Sequence, residues 1–238
     1  MNRIFSSVSR VSLLLLTIIF LLMGCSESAQ FQHIESEYKN LNESSVSVMV
    51  LPFIQKFIDP AQREYWMEKK AAAKKTLSAR ETELFDSYFF QILSENTYVK
   101  IIHPENSLNL KEIKFIHQIE KTEREQKIDL YLPDKSSSEK IGMLSNFTLV
   151  ISDLYFIKDY AESASYLGRG TQESYALKGG MEYLLWDNKK NKISCYGRLE
   201  QSVRLMESPT KETYLSIFDI FASAIIKHSP FAAKKIYY

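Results

Sequence analysis

Apolar and polar positions alternate along this chain in two distinct rhythms, and the rhythms predict its elements. A run from Val46 through Val48, Val50 and Leu51 to Pro52-Phe53 reads as a short buried strand that stops where proline removes a backbone donor. Asp59-Pro60 has the signature of an N-cap followed by proline in the first turn, and good helix formers continue to Lys75. From Ser78, the residues Leu84, Phe85, Tyr88, Phe89, Ile92 and Leu93 recur on one helix face, and Asn96 closes that helix. Tyr98–Ile102 is a second short strand, halted at His103-Pro104. Leu110, Ile113, Ile116 and Ile119 predict a third helix over residues 108–127. Residues 133–138 form a break, and Glu139–Leu144 a short helical turn. Phe147–Ile157 is the strongest strand, followed by a polar excursion from Lys158 to Ser174. Strands at Tyr175–Trp186 and Ile193–Leu205 flank a hairpin loop, Asp187–Lys192. Ser208-Pro209 opens a last helix lined by Tyr214, Leu215, Phe218, Phe221, Ile225 and Ile226. The order strand-helix-strand-helix-strand-strand-strand-helix predicts an α/β fold, with a mixed sheet of about five strands packed by helices.

The N-terminus follows another pattern. Met1–Arg10 is polar, with Arg3 and Arg10 its only charges, and Val11–Met23 is an apolar block. That block is short of the roughly 20 residues a spanning helix needs, and it has the flanks of a secretory signal peptide. Leu22-Met23-Gly24-Cys25 follows and resembles the lipobox of bacterial lipoproteins. The resemblance implies cleavage between Gly24 and Cys25, with lipid chains on the Cys25 thiol and amine. Each buried methylene contributes about 0.8 kcal/mol, and two or three chains hold a protein stably on a membrane. By the same resemblance, Ser26 in place of aspartate implies the outer membrane, facing the periplasm. The expected organisation is thus a signal peptide at 1–24, a lipidated N-terminus and flexible tether at 25–45, and a single periplasmic domain at 46–238. A flexible tether of about 20 residues spans roughly 25 Å.

Charge and cysteine content narrow the classes. The leader holds two of the 30 Lys and Arg, leaving 28 against 29 Asp and Glu, so electrostatics offer no reason to expect nucleic acid as a partner. Once Cys25 carries lipid, Cys195 is the one remaining thiol and no internal disulfide can form. Cys195 falls at an inward strand position, where a buried inert thiol is expected.

Two segments together resemble a known group. Val48-Met-Val-Leu-Pro-Phe53 and the stretch from Lys140 to Leu154 are similar to the opening and central strands of certain bacterial envelope proteins. These are the curli-secretion lipoprotein, the lipoprotein activators of penicillin-binding proteins, and the N-terminal domain of the Tol translocation protein. Trp186-Asp187 through Ile193 is similar to a turn of that group, and the resemblance spans about residues 46–230. Ser145-Asn146-Phe147 and Ser152 depart from its pattern. The resemblance implies a non-catalytic domain that binds an envelope protein partner.

Candidate chemistry is sparse. His33, His103, His117 and His228 lack metal-ligand spacing, so neither metal nor cofactor is expected. There is no Gly-x-Ser-x-Gly elbow, and Gly168-Arg-Gly170 lacks the context of a phosphate loop. Glu81 with Glu83, and Glu120 with Glu123, read as solvated helix faces. Asp153, set among apolar residues of the central strand, either lies on the wet face or is a buried functional acid. Three functions stay open: a protein-binding lipoprotein, a subunit of an oligomeric outer-membrane secretion channel, and an enzyme with a dispersed site. A homo-oligomer is compatible with the first two. A long amphipathic hairpin would favour the channel.

Overall fold

A computed structural model of the chain describes residues 28–51, 84–104, 108–109, 112–121, 127–164, 171–205 and 207–234. The helix expected at 59–75 lies outside them, as do Gly24 and Cys25. In chain order the described elements are β1 (Ser28–Ile34), β2 (Ser47–Leu51), a π-helical turn (Phe85–Phe89) running into α1 (Phe90–Asn96), β3 (Lys100–Ile102), β4 (Phe115–Lys121), β5 (Lys127–Pro133), α2 (Lys135–Gly142), β6 (Phe147–Ala164), β7 (Thr171–Asp187), β8 (Lys192–Leu205) and α3 (Lys211–Lys227). The expected α/β class with a mixed sheet is what forms. The main sheet has six strands in the order β1-β8-β7-β6-β2-β3, and β4 and β5 pair as a separate hairpin. β2 runs parallel to both β3 and β6, and the other pairings are antiparallel.

Alternation in β2 explains the layering. Val48 and Val50 enter one core, Met49 and Leu51 another, and all four are buried, as a strand covered on both faces requires. α1, the turn before it and α3 cover the first face. There Phe85 stacks on Phe89 at 4.8 Å, and Phe218 of α3 meets Phe85, Phe89 and Phe156 edge-on. The β4–β5 hairpin and α2 cover part of the second face, with Ile128, Leu130 and Ile141 packed against Met49, Val150 and Leu184. Local signals set the helix ends. The Asp134 carboxylate accepts from the Ser137 amide at 2.7 Å and so starts α2 four residues or more before the expected turn. Thr210, one residue past Ser208-Pro209, forms a capping box with Thr213 at the start of α3.

Three expectations are corrected. Residues 28–34 are not tether: β1 pairs along its whole length with β8, from Ser28–Gln201 to Ile34–Cys195. Beyond it the Tyr38 ring is buried and its hydroxyl donates to Asp187 at 2.9 Å. An edge strand draws its pairing from backbone groups and leaves one side to solvent, so a polar composition conceals it. Within the helix expected at 108–127, residues 115–121 are instead β4, antiparallel to β5. Ile116 and Ile119, placed inward by the helical reading, are 58% and 48% exposed. The alternating Ile128 and Leu130 of β5 reach the core instead, and the β-branched and aromatic residues of β4 suit the pairing. Finally, the polar excursion is largely strand. β6 and β7 continue past the sheet as a two-stranded ribbon, in register to Ala164–Thr171.

Candidate functional site

The β4–β5 hairpin and α2 cover only part of the second sheet face. Moving along β7 and β8 away from Leu184 and Tyr196, the residues on that face become Glu182 and Arg198, then Gly180 and Glu200, then Lys178. On β6 the strand slips by one residue between Ile151 and Asp153, a bulge at Ser152. The slip keeps Ile151 and Leu154 in the first core and turns Asp153 to the second face, opposite Glu182. Asp153 and Glu182 are 5% and 7% exposed. The acid left open between wet face and burial is therefore both: it belongs to the polar face and is covered there.

Hydrogen bonds tie this strip together. Arg198 donates through Nε to Glu182 Oε1 at 2.8 Å and through a terminal nitrogen to the same oxygen, and it also reaches the Lys127 carbonyl of β5 at 2.6 Å. Burial opposes the Arg198 charge, but Glu182 and Glu200 outweigh it and the guanidinium holds its proton more tightly than usual. Tyr155 donates to Glu200 Oε1 at 2.7 Å, and Lys178 meets Glu200 Oε2 at 2.9 Å. Burial first, then the Glu200 hydrogen bond, push the Tyr155 phenol well above its ordinary value. The Tyr155 ring crosses β7 directly over Gly180, where an added Cβ would lie 2.1 Å from its Cζ. Glycine is required at that position by close approach rather than by a turn. The strip thus offers two cations and three carboxylates; Arg198 bonds Glu182, and Lys178 and Tyr155 bond Glu200.

A second feature sits at the other end of the sheet. An open groove of about 420 Å³ is lined by Glu35, Glu37, Leu132, Trp186, Lys192 and Ile193 among others. Asp187 accepts from the Lys189 and Lys190 amides and closes the β7–β8 turn, in which Asn191 takes a left-handed conformation with φ 52°. Lys190 and Lys192 both reach Glu37, and each also lies over the Tyr38 ring. The hydrogen bond from Lys192, with help from Tyr38 and Lys190, brings the Glu37 carboxyl down to about 2.

The remaining candidates separate rather than converge. His33 contacts Glu35 and the Tyr196 ring, His103 stacks on Phe90, His117 meets Asp129 at 2.8 Å, and His228 contacts the Ala224 carbonyl. Among the described residues no three His, Cys, Asp or Glu side chains stand where they could hold a metal. Glu120 lies on strand β4, not on a helix face, whereas Glu81, Glu83, Glu123, Gly168 and Gly170 lie outside the described residues. Cys195 is fully buried and burial pushes its thiol up, away from the reactive thiolate. Sequence reasoning missed Tyr155, Lys178, Glu182, Arg198 and Glu200. Counting from the expected Asp187–Lys192 hairpin does not pair Glu182 with Arg198: Glu182 stands five residues before Asp187 and Arg198 six after Lys192, because the register shifts between Leu185 and Trp186.

No protein-family model matches the chain, and no curated protein matches it. Among solved structures, it is similar to the PelC dodecamer from Paraburkholderia phytofirmans at 7% identity, over 88% of this chain and 99% of that one, with a TM-score of 0.38. A point variant of the same dodecamer gives 6% identity, 84% and 96% coverage, and a TM-score of 0.38. A likeness of that size assigns this chain to no family.

Proposed function

We propose that this protein is a bacterial envelope lipoprotein, anchored through Cys25, whose α/β domain works by binding a protein partner and not by catalysis. The observation that carries the reading is Leu22-Met23-Gly24-Cys25 directly after an apolar block too short to span a bilayer. No helix among the described residues is long and apolar enough to cross a membrane, so attachment through lipid is consistent with the fold. The polar strip supports a binding role over a chemical one. Its Glu182 and Glu200 are engaged by Arg198, Lys178 and Tyr155, and a carboxylate so paired is a poor general base.

A secretion-channel subunit is the second reading, and one observation favours it: the β6–β7 ribbon that extends past the sheet. Its sequence weighs against a membrane-crossing role. A spanning strand alternates apolar and polar residues over about 9 to 11 positions, whereas the part past β8 is only 161–164 with 171–174 and sets Glu162 opposite Glu173.

Metabolic labelling with a clickable fatty acid tests the anchor. The wild-type protein should take up label and Cys25→Ser should take up none and stay unprocessed. A Cys25→Ser protein that still carries label overturns the reading. Affinity purification of the lipidated protein from its own membranes, followed by mass spectrometry and native sizing, then separates a heterologous partner from a ring of identical copies.

A further inference from the structure

The register of β1 bears on how such an anchor would hold the domain. Ser28 is the first residue of β1, and only Ser26 and Glu27 separate it from Cys25. Three residue steps cover at most about 11 Å. The anchor point is therefore tied to a defined end of the sheet edge and not to a long leash.

Pairing identifies that end. Ser28 lies opposite Gln201 of β8, Gln201 opposite Gly179 of β7, and Gly179 opposite Phe156 of β6. β1 runs away from this level toward the β7–β8 turn, since Ile34 pairs with Cys195. β6 runs in the opposite sense, from Phe156 out to Ala164, with β7 returning from Thr171. Going back along the chain from Ser28 to Cys25 thus starts toward the same end of the molecule as the ribbon.

Lengths decide what meets the bilayer. Eight residues from Phe156 to Ala164 extend about 26 Å at strand rise. Sheet twist of about 20–25° per strand turns β7 and β6 by roughly 45–70° from β1, so about 9–18 Å of that length projects along the β1 axis. That range brackets the reach of about 11 Å from Ser28 to Cys25, so the two ends lie at a similar level. The β7–β8 turn is at the opposite end, nine residues of β8 away from Gln201, or about 30 Å.

We propose that the lipid anchor sets the domain flush on the membrane, with the β6–β7 ribbon end of the sheet resting among the lipid headgroups and the β7–β8 turn facing away. The surface involved is the end of the ribbon, and its partner is a phospholipid headgroup layer. This inference rests on the lipoprotein reading above. By sequence, residues 158–174 include Lys158, Asp159, Glu162 and Glu173, a composition suited to a hydrated headgroup layer and not to hydrocarbon. The orientation leaves the Glu37–Lys192 groove and the Asn191 turn presented to the periplasm, where a protein partner has access.

The test uses the full lipidated protein, purified from membranes and reconstituted in vesicles of phosphatidylethanolamine and phosphatidylglycerol. Single cysteines are placed at the ribbon (Ser163→Cys, and separately Gln172→Cys) and at the far turn (Asn191→Cys), then labelled with an environment-sensitive dye. The buried Cys195 leaves the introduced thiols as the reactive ones. Vesicles doped with a headgroup spin-labelled lipid should quench both ribbon labels several-fold more than the Asn191 label. Two ribbon positions guard against one variant failing to fold. Mass spectrometry of the N-terminal peptide, run first, separates the two claims. An unacylated Cys25 overturns the lipoprotein reading and this inference with it. An acylated protein whose ribbon labels are quenched no more than the Asn191 label overturns this inference alone.

Discussion

At Gly180 a single methyl group would collide with the Tyr155 ring, because that ring crosses β7 to hydrogen-bond Glu200 on β8. Gly180→Ala therefore has no room unless Tyr155 swings out and gives up the bond. Overpacking of this kind costs about 1–3 kcal/mol. In chemical denaturation Gly180→Ala should lose that much, whereas Gly142→Ala, whose Cβ would make ordinary contacts with the Asn188 Cβ at 3.4 Å and carbonyl oxygen at 3.8 Å, should lose no more than about 0.5 kcal/mol. Equal losses would mean the Tyr155 bridge contributes nothing. Glu37 is the residue whose effect depends on pH. Its carboxyl is held at about 2 against an ordinary 4.5, so its contribution is complete above pH 4.5 and disappears as pH falls toward 2. Thermal melting at low salt should find Glu37→Gln less stable than wild type at neutral pH and indistinguishable from it near pH 2. Because the pair is exposed, added salt should shrink the neutral-pH difference.

Elements differ in how plainly the sequence announces them, and the difference follows burial. α3 and the β2 strand put large apolar groups into the core at regular spacing, so periodicity alone locates them. Phe218 is completely buried and meets Phe85, Phe89 and Phe156, whereas Lys227 on the same helix is exposed. Phe218→Ala should cost about 3–5 kcal/mol and lower the melting temperature by many degrees, with Lys227→Ala near wild type. β4 shows where periodicity fails. Three-residue spacing of Ile113, Ile116 and Ile119 fits a helix, yet pairing with β5 decides the conformation and leaves two of the three exposed. The polar strip fails differently. A one-residue bulge at Ser152 reverses the parity of β6, so counting along the strand puts Asp153 on the wrong face. Bulges leave little local signature, and a charge network is legible only once the register is known.

The whole molecule turns on β1, the element whose polar sequence hid it best. As an edge strand it satisfies the outer backbone groups of β8 over seven residues. Within β1 the Gln32 amide donates to the Tyr183 hydroxyl at 2.7 Å and to the Ala224 carbonyl of α3 at 3.0 Å; in the link that follows, Glu35 N–H donates to the Ser194 carbonyl at 3.0 Å and Tyr38 fills a buried site. A chain starting at Val46 would seem, from composition, to discard only a leash. The structure says that it discards a strand, a core tyrosine and the clamp between sheet and α3. It also bares the β8 edge, where Tyr196 and Arg198 have their backbones ready to pair with another chain. A chain from Ser26 should run as a single species on gel filtration and melt in one transition. A chain from Val46 should melt at markedly lower temperature and associate as concentration rises. Matching profiles for the two would show that β1 adds no stability, and would return residues 25–45 to the status of a tether, with the domain free to stand off from the membrane.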